Sequence, residues 1–289
     1  MSEILAPCGA QESLSAAVNA GADAVYLGEE YFSARKNADN FTAEQLCEAV
    51  RFCHYSGVNV YVTLNTLVFD REIPLLAKAI ENCAKADVDG FIVQDMGVAR
   101  LARQIVPELP LHASTQMTVN SPEGAIMAKK LGFTRVVLGR ELSYEQIKAI
   151  VDSCDIVTEL FVHGALCVCL SGQCYMSSVL GGRSGNRGLC AQPCRLDFTS
   201  GDRHNALSLK DLSLIERLPE LQKLGVTSFK IEGRMKRPEY VSAAVRACVE
   251  QRDFGFISDK TRKMLRGVFS RTGFTDAYYI GKTGSHMFG

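Results

Sequence analysis

Short apolar runs alternate with segments of helical periodicity along most of the chain, and the apolar runs end at polar or glycine residues. The apolar runs predict eight strands, at residues 4–6, 24–28, 58–64, 90–93, 111–113, 135–138, 156–162 and 227–231. The periodic segments predict helices at residues 12–20, 43–56, 73–86, 98–105, 122–131, 144–153, 212–224 and 238–252. Each helix supplies a crossover, so the strands are expected to run parallel.

The number of β–α units decides between two architectures. Eight units favour a closed (β/α)8 TIM barrel, although periodicity alone leaves an open doubly wound sheet as an alternative. No glycine-rich dinucleotide fingerprint or P-loop follows the first strand, which disfavours the open Rossmann-type sheet. We therefore predict a barrel domain over residues 1–255, with a cysteine-rich insertion at residues 164–195 after the seventh strand.

Two further segments carry their own predictions. Residues 195–199 and 205–209 are expected to form a hairpin around a Ser-Gly-Asp turn. Residues 256–289 are expected to begin a C-terminal extension that continues beyond the sequence, because the chain stops just after a β-like stretch without a recognisable cap.

Composition limits the choice of partners and compartment. Of 289 residues 47% are hydrophobic, as in an ordinary globular chain, and 32 basic residues balance 32 acidic ones. No global field would therefore attract nucleic acid, and any such binding must depend on local patches. The sequence shows no apolar run of membrane-spanning length and no signal peptide, so we expect a cytoplasmic protein without membrane contact. Its oligomeric state is not predicted.

Five of the eleven cysteines fall between residues 159 and 195, and four of those five have the spacing C-x6-C-x15-C-x3-C. A reducing cytosol disfavours disulfides, which favours a metal or redox centre. Structural zinc usually has two tight C-x2–4-C pairs, whereas uneven spacing with intervening glycines suits a loop around an iron–sulfur cluster. We therefore favour an iron–sulfur cluster, with zinc and unligated thiols as alternatives.

Polar residues follow the predicted strands. In a (β/α)8 barrel the carboxyl ends of the strands meet on one face, where active sites are built, and the cysteine-rich segment leaves the seventh strand on that face. The candidates placed there include Asn65, Gln116, Arg140, His163, Glu232 and Arg234. His163 could equally be a hydrogen-bonded core imidazole, and Glu232 and Arg234 could form a structural ion pair.

A local group of basic residues surrounds the cysteine-rich segment and suits carboxylates or phosphates, because guanidinium groups bind both in a bidentate fork. Its members are Arg183, Arg187, Arg195, Arg234, Lys236 and Arg237. A solvated surface is the alternative interpretation. Hydrolase signatures are absent: there is no H-E-x-x-H and no G-x-S-x-G. A Cys167–His163 dyad is incompatible with a metal-bound Cys167.

Several long motifs resemble peptidase family U32, the collagenase-like family. They are FVHGALCVCLSGQCYMSS, GGRSGNRGLCAQPCR, LAPCG, FSARKNADNF, HASTQMTV, SLKDL and KIEGRMKRPEYV, and together they extend from residue 4 to about residue 283. The resemblance implies a (β/α)8 catalytic domain and a 4Fe–4S cluster whose ligands would be Cys167, Cys174, Cys190 and Cys194. Arg35 and Lys210 lie in two of these motifs and are added as substrate-binding candidates. Cys8 departs from the alanine common in the family.

The resemblance also implies a reaction. Better-understood relatives hydroxylate a tRNA uridine or an rRNA cytidine with prephenate as oxygen donor, and the CAQPC form of the last cysteine pair resembles that branch. We expect hydroxylation of a pyrimidine in tRNA or rRNA, with a small prephenate-like carboxylate as co-substrate. A peptidase and an oxygen-independent quinone hydroxylase are the alternatives. His163, Glu232, Arg234 and Arg187 are the expected catalytic residues. Those expected to bind substrate are Arg35, Asn65, Gln116, Arg140, Arg183 and Lys210.

Overall fold

The computed structural model describes residues 2–35, 38–268 and 272–289. Its strands are β1 Glu3–Pro7, β2 Ala24–Leu27, β3 Asn59–Leu64, β4 Gly90–Val93, β5 Leu111–Ala113, β6 Arg135–Val137, β7 Val157–Gly164, β8 Asp211–Ser213, β9 Ser228–Ile231 and β10 Phe274–Thr275. Its α-helices are α1 Gln11–Asn19, α2 Ala43–Tyr55, α3 Ile73–Lys85, α4 Met96–Ile105, α5 Pro122–Lys130, α6 Tyr144–Ser153, α7 Met176–Gly181, α8 Leu218–Leu224, α9 Pro238–Phe254 and α10 Asp259–Val268.

Eight of the strands close into a parallel barrel. Strands β1 to β7 pair in sequence order, and β9 pairs in parallel with both β7 and β1. The barrel closes at β9, where Phe229 lies opposite Leu160 on β7 and opposite Ile4 on β1. The predicted (β/α)8 barrel is therefore confirmed, and the open doubly wound sheet is excluded.

Local sequence signals explain where the helices begin. Thr42 caps α2 and Ser143 caps α6, and each hydroxyl accepts a hydrogen bond from the backbone N–H three residues further on. In return, the side chains of Gln45 and Gln146 accept a hydrogen bond from the backbone N–H of the capping residue. Asp95 accepts from the Gly97 N–H at 2.7 Å and so caps α4. These caps satisfy N–H groups that have no partner inside the helix.

The segment between β7 and β9 departs from two predictions. Residues 195–199 and 205–209 form no strands, so the predicted hairpin is wrong; an isolated bridge joins Ser200 to Arg203, and Leu209 bridges to Phe288 instead. The helix predicted over 212–224 is also too long. Residues 211–213 form β8, antiparallel to β7, Ile215–Arg217 form a 3-10 turn, and α8 begins only at Leu218, with Pro219 in its first turn, where proline is tolerated.

The C-terminal residues pack onto the barrel domain. Helix α10 packs against α9, and β10 pairs in parallel with β8, with Phe274 opposite Asp211. The domain boundary at residue 255 and the C-terminal extension stay predictions. Across the described ranges, no helix has the length and hydropathy needed to cross a bilayer.

The barrel interior holds charge as well as apolar side chains. Glu159 on β7 is fully buried and accepts from Lys230 on β9 at 2.7 Å and from Arg135 on β6 at 3.0 Å. Arg135 also reaches Glu3 on β1 at 2.6 Å. Burial opposes ionisation of Glu159, but Lys230 and Arg135 outweigh it and lower its pKa to about 2. A small apolar cluster lies apart from the main core and contains Leu5, Ala24, Tyr26, Tyr61 and Ile92.

Replacing Glu159 with glutamine is expected to destabilise the protein by about 3–5 kcal/mol, because buried Lys230 loses its counter-charge and Arg135 keeps only Glu3. Urea unfolding at pH 7 measures this. The matched control is Asp152→Asn, which removes the carboxylate of the exposed Lys148–Asp152 pair and is expected to leave the unfolding midpoint nearly unchanged. Equal stability of Glu159→Gln and the wild type would contradict a buried charge network.

A second buried carboxylate predicts that stability falls as the pH rises. Glu29 follows β2 and is 4% exposed, and among the described residues its Oε2 has no hydrogen-bond partner. Burial raises the pKa of Glu29 to about 7. A raised folded pKa means that the acid form suits the fold, so this contribution to stability is present at low pH and is lost as the pH rises through about 7.

The neutral isostere Glu29→Gln should therefore gain stability relative to the wild type between pH 5 and pH 9, by roughly 1–2 kcal/mol after allowance for solvent screening. Urea unfolding at the two pH values checks the change. Exposed Glu145→Gln is the control and should show no such gain. If the stabilities of Glu29→Gln and the wild type changed equally with pH, the raised pKa of Glu29 would be contradicted.

Candidate active site at the carboxyl end of the barrel

A cavity of about 430 Å³ opens at the carboxyl ends of the strands, between the barrel rim and the cysteine-rich segment. It brings together residues that are far apart in sequence. The predicted site residues that line it are Arg35, Asn65, Gln116, Arg140, Glu232, Arg234, Cys167, Cys174, Cys190 and Cys194. The size suits a small organic ligand.

Two arginines from opposite sides of the cavity meet at Glu232. Arg35 Nη2 donates to Glu232 Oε1 at 3.1 Å, and Arg140 Nη1 lies 3.5 Å from Oε2. Arg140 also stacks over the Phe161 ring, 4.7 Å from its centroid. Burial opposes ionisation of Glu232, but Arg35, Arg140 and Arg234 outweigh it and lower its pKa to about 2. Glu232 is therefore an anion at neutral pH, held by guanidinium groups.

Arg234 is more deeply buried and is held by hydroxyl groups. Its Nη1 donates to Ser33 Oγ at 2.6 Å and to Thr63 Oγ1 at 3.0 Å. Burial, reinforced by the neighbouring charge of Arg35, lowers the pKa of Arg234 to about 10. A side chain at Gly28 would lie 2.6 Å from Arg234 Nη1, so the space that this guanidinium fills requires glycine there.

Asn65 has a supporting contact as well as a place in the cavity wall. Its Oδ1 accepts from the Ala34 N–H at 3.0 Å and so fixes the loop that carries Arg35. Gln116, by contrast, has a buried Oε1 without a hydrogen-bond partner among the described residues, and the same holds for Arg140 Nε. Both groups remain available to a ligand.

The charge of the lining is strongly positive. Six cationic residues line the cavity: Arg35, Arg140, Arg195, Lys230, Arg234 and Lys236. Within the described parts of the chain, Glu232 is the single carboxylate residue that faces them there. Since like charges confined in a low-dielectric site repel, such a lining favours an anionic occupant.

All four cysteines of the predicted ligand set line this cavity, although they come from separate turns of the segment. Cys167 follows β7, Cys174 precedes α7, and Cys190 and Cys194 follow it. The thiols are close enough to affect each other's ionisation. Burial raises the pKa of Cys194, and Arg195 opposes this rise. The neighbouring thiols of Cys167, Cys190 and Cys174 raise the pKa of Cys194 further. Over residues 2–35, 38–268 and 272–289, no three His, Cys, Asp or Glu side chains converge closely enough to hold one metal ion.

The cysteine-rich segment is fixed to the barrel rim by close backbone contacts. Thr118 Oγ1 donates to the Ser171 carbonyl at 2.8 Å, and Ser171 Oγ donates to Glu141 at 2.8 Å. Gly172 packs directly on the Gln116 backbone, where an added Cβ would lie 2.7 Å from Gln116 Cα. These contacts set the height of the segment above the cavity.

Arg195 fixes the far end of the segment, with donor contacts to the Leu209 carbonyl at 2.6 Å, to Ser208 Oγ at 2.9 Å and to the Leu166 carbonyl. The fifth cysteine, Cys169, does not line the cavity; its thiol interacts with that of Cys174, and its Sγ lies 3.5 Å from the Gln173 carbonyl oxygen. Cys8 is fully buried in the core, and burial raises the pKa of its thiol well above the usual value. Cys8 is therefore an inert thiol at neutral pH.

Four predicted site residues lie outside the cavity lining. His163 is buried against Tyr240 and Phe274, with Nδ1 3.0 Å from Tyr240 Oη, and burial lowers its pKa to about 4. Arg187 pairs with Glu72 through contacts of 2.6 and 2.8 Å and stacks over Phe69. Arg183 is exposed, and the Lys210 backbone N–H donates to the Met287 carbonyl.

The sequence prediction missed Lys230, which lines the cavity floor. It lies within β9 rather than after it, so the positions of the strand ends do not indicate it. The signal was present nonetheless: a lysine stands at an inward position of a short, otherwise buried strand, where charged residues are rare unless they are paired.

Gly172→Ala is expected to destabilise the protein by about 2–4 kcal/mol, because a Cβ would collide with the Gln116 backbone and Gly172 has a φ of +80°. Gly182→Ala is the matched control. It shares the positive φ, at +64°, but a Cβ there meets nothing within 4 Å, so the expected loss is only about 1 kcal/mol. Urea unfolding of both variants measures the difference, and equal losses would refute the close approach.

Comparison with known proteins gives consistent matches. The sequence model of peptidase family U32 matches residues 9–288. Over 247 residues the chain is 43% identical to the 23S rRNA 5-hydroxycytidine synthase of Escherichia coli (strain K12), covering 83% of this chain and 37% of that protein. It is 38% identical over 257 residues to tRNA hydroxylation protein P1 of Bacillus subtilis (strain 168), covering 84% and 61%.

Two further matches complete the comparison. The chain is 36% identical over 309 residues to a collagenase of Porphyromonas gingivalis (strain ATCC BAA-308 / W83), covering 97% of this chain and 74% of that protein. A solved structure of a U32 peptidase superposes with a TM-score of 0.56 at 15% identity, covering 81% of this chain and 93% of that one, and supports the fold. The chain thus spans 37% and 61% of the two RNA-related relatives.

Proposed function

The chain belongs to peptidase family U32, and on that basis we propose that it is the barrel of an enzyme that hydroxylates a pyrimidine in tRNA or rRNA. The proposal includes a 4Fe–4S cluster and a small prephenate-like carboxylate as oxygen donor. The observation that carries it is one cavity lined by both the four cysteines and a group of arginines.

The RNA substrate is supported by the relatives. Two of them, at 43% and 38% identity, are named for hydroxylated cytidine in rRNA and for tRNA hydroxylation. Because this chain spans only part of each, the activity, the RNA and the cytoplasmic location that RNA chemistry suggests are proposals for the whole protein. Docking of RNA would depend on local basic patches, since the chain has no net charge.

The donor set fits the proposed cluster. Cys167, Cys174, Cys190 and Cys194 would hold it, because four thiols around one cavity are the usual protein ligands of such a centre. Each would bind a different iron atom, so they need not converge as the ligands of one zinc ion do. When bound, the cluster would supply redox-active, Lewis-acidic iron at the cavity wall.

The arginines suit a carboxylate co-substrate. Arg35 and Arg140 share Glu232, and both can exchange part of that contact for an incoming carboxylate because their guanidinium groups carry several donors. Arg140 Nε, buried without a partner among the described residues, is a further donor for such a ligand. In this scheme ionised Glu232 orients the two guanidinium groups and limits repulsion between them.

Catalytic roles for Glu232 and His163 stay predictions. Glu232, with a pKa of about 2, is ionised at neutral pH. His163, with a pKa of about 4, is neutral there, and its ring contacts Tyr240 behind the cavity wall. A water molecule or the substrate itself is therefore a better proton carrier in the resting cavity.

Deleting the complete gene from its own host is expected to remove one hydroxylated pyrimidine nucleoside from digests of tRNA or rRNA, measured by mass spectrometry. The wild-type gene should restore it. Cys190→Ala should not, and should also lower the iron and sulfide content of protein purified without oxygen. Cys169→Ala removes a thiol of the same segment that does not line the cavity, so it is the matched control and should restore the nucleoside.

An unchanged nucleoside profile in the deletion strain would overturn the proposed reaction. Full iron and sulfide content in Cys190→Ala would overturn the ligand assignment. The collagenase relative makes proteolysis the competing function, and cleavage of denatured collagen by the purified protein after chelation of its metal would favour that function instead.

A further inference from the structure

Lys230 occupies an unusual position at the floor of the cavity. It lies on β9, is 3% exposed and lines the same space as Arg140 and Arg234. Its Nζ lies 2.7 Å from Glu159 Oε1 and 4.2 Å from the centroid of the Tyr26 ring. A primary amine is thus held at the closed end of a cavity whose walls carry guanidinium groups.

The surroundings of Lys230 favour a reactive amine. Burial lowers the pKa of Lys230 in spite of the attraction of Glu159, and the nearby charge of Arg135 adds to the lowering. A lysine with a lowered pKa has a larger fraction of the neutral, nucleophilic form at neutral pH than an exposed lysine has. Aromatic faces of Tyr26 and Phe161 enclose the amine and limit access of water.

We propose that Lys230 captures the carbonyl group of a 2-oxo carboxylate in this cavity as a Schiff base. The amine at the floor would react with the carbonyl carbon, while a guanidinium of the wall would bind the neighbouring carboxylate. A 2-oxo acid is the ligand class that offers both groups on adjacent carbons. The inference rests on the proposed function in one respect, namely that the cavity binds a small carboxylate.

The step balances without any further reactant. The Lys230 ammonium first gives one proton to cavity water, and the free amine then adds to the carbonyl carbon to form a carbinolamine. In the carbinolamine one of the two amine protons has moved to the oxygen; the proton held by water then joins it, the C–O bond breaks and water leaves, and a C=N bond with one proton on nitrogen remains. Ammonium plus carbonyl thus becomes iminium plus water, with no change in net charge and no oxidation or reduction.

Conservation of charge is what makes this chemistry compatible with burial. Glu159 is fully buried and ionised, so it needs a cationic partner before and after the reaction. The iminium nitrogen keeps the positive charge of the ammonium and stays next to Glu159. Arg135, 3.0 Å from the other oxygen of Glu159, holds the carboxylate in place during the transient loss of a proton.

The competing interpretation is a purely structural ion pair that fills the barrel. The two differ in one observable, a covalent adduct at a single lysine. Purified full-length protein would be incubated with pyruvate or 2-oxoglutarate and reduced with sodium cyanoborohydride. Peptide mapping by mass spectrometry should then find that the mass of Lys230 has increased by that of the keto acid minus one oxygen atom. About tenfold more adduct is expected at Lys230 than at any other lysine.

Lys230→Arg keeps the charge next to Glu159 but cannot form an imine, so it should lose the adduct. Lys148→Arg on the surface of α6 is the control and should retain it. Because Lys230→Arg could disturb the fold, a second measurement uses the wild type. Succinate, which has no carbonyl group, should give no adduct and should compete with 2-oxoglutarate for the arginines.

An adduct spread over many lysines, or one concentrated on Lys236, would overturn the assignment to Lys230. Absence of any adduct while succinate still binds would favour the structural ion pair. These results are separate from the RNA reaction: a deletion strain that lacks its hydroxylated nucleoside supports the proposed function even if Lys230 forms no imine.

Discussion

Closure of the barrel by β9 is the constraint on which the site depends. Phe229 is paired on one side with Leu160 and on the other with Ile4, so the register of this strand is fixed from both edges. Alternation along the strand then places Lys230 inside the barrel, at the cavity floor, while Glu232 and Arg234 follow at the rim. A shift by one residue would reverse these directions and abolish the cavity.

The pattern of the sequence was sufficient for the barrel because each strand is a short apolar run and the helices between them are periodic, several with a capping residue such as Thr42 or Ser143. It failed where structure depends on distant partners. The Leu209 backbone pairs with Phe288, almost eighty residues further along the chain, and no local signal in residues 195–209 indicates that partner. Pro219, which suits the first turn of a helix, is the local signal that α8 starts later than residue 212.

The candidate site was likewise predictable where a residue's place in the barrel decides its position, and not where a distant partner does. Arg35, Arg140 and Glu232 lie in loops or at strand ends, where position in the barrel alone places them on the active face. His163 does not follow this rule, because β7 continues through it and a bulge between Phe161 and His163 directs the imidazole towards Tyr240. Arg187 could not be placed either, since its partner Glu72 belongs to another β–α unit.

The excess of cations in the cavity favours anionic occupants. Six cationic residues confined with one carboxylate would repel each other strongly in a dry site, and Glu159 compensates only the deepest of them, Lys230. Four thiolates at the wall and a carboxylate ligand at the arginines would together offset this charge. In the proposed enzyme both anions face the same cations, so the cysteines and the arginines are best understood as parts of one electrostatic unit. The cavity is then most stable when both are present, and binding of each anion should favour binding of the other through the cations that they share.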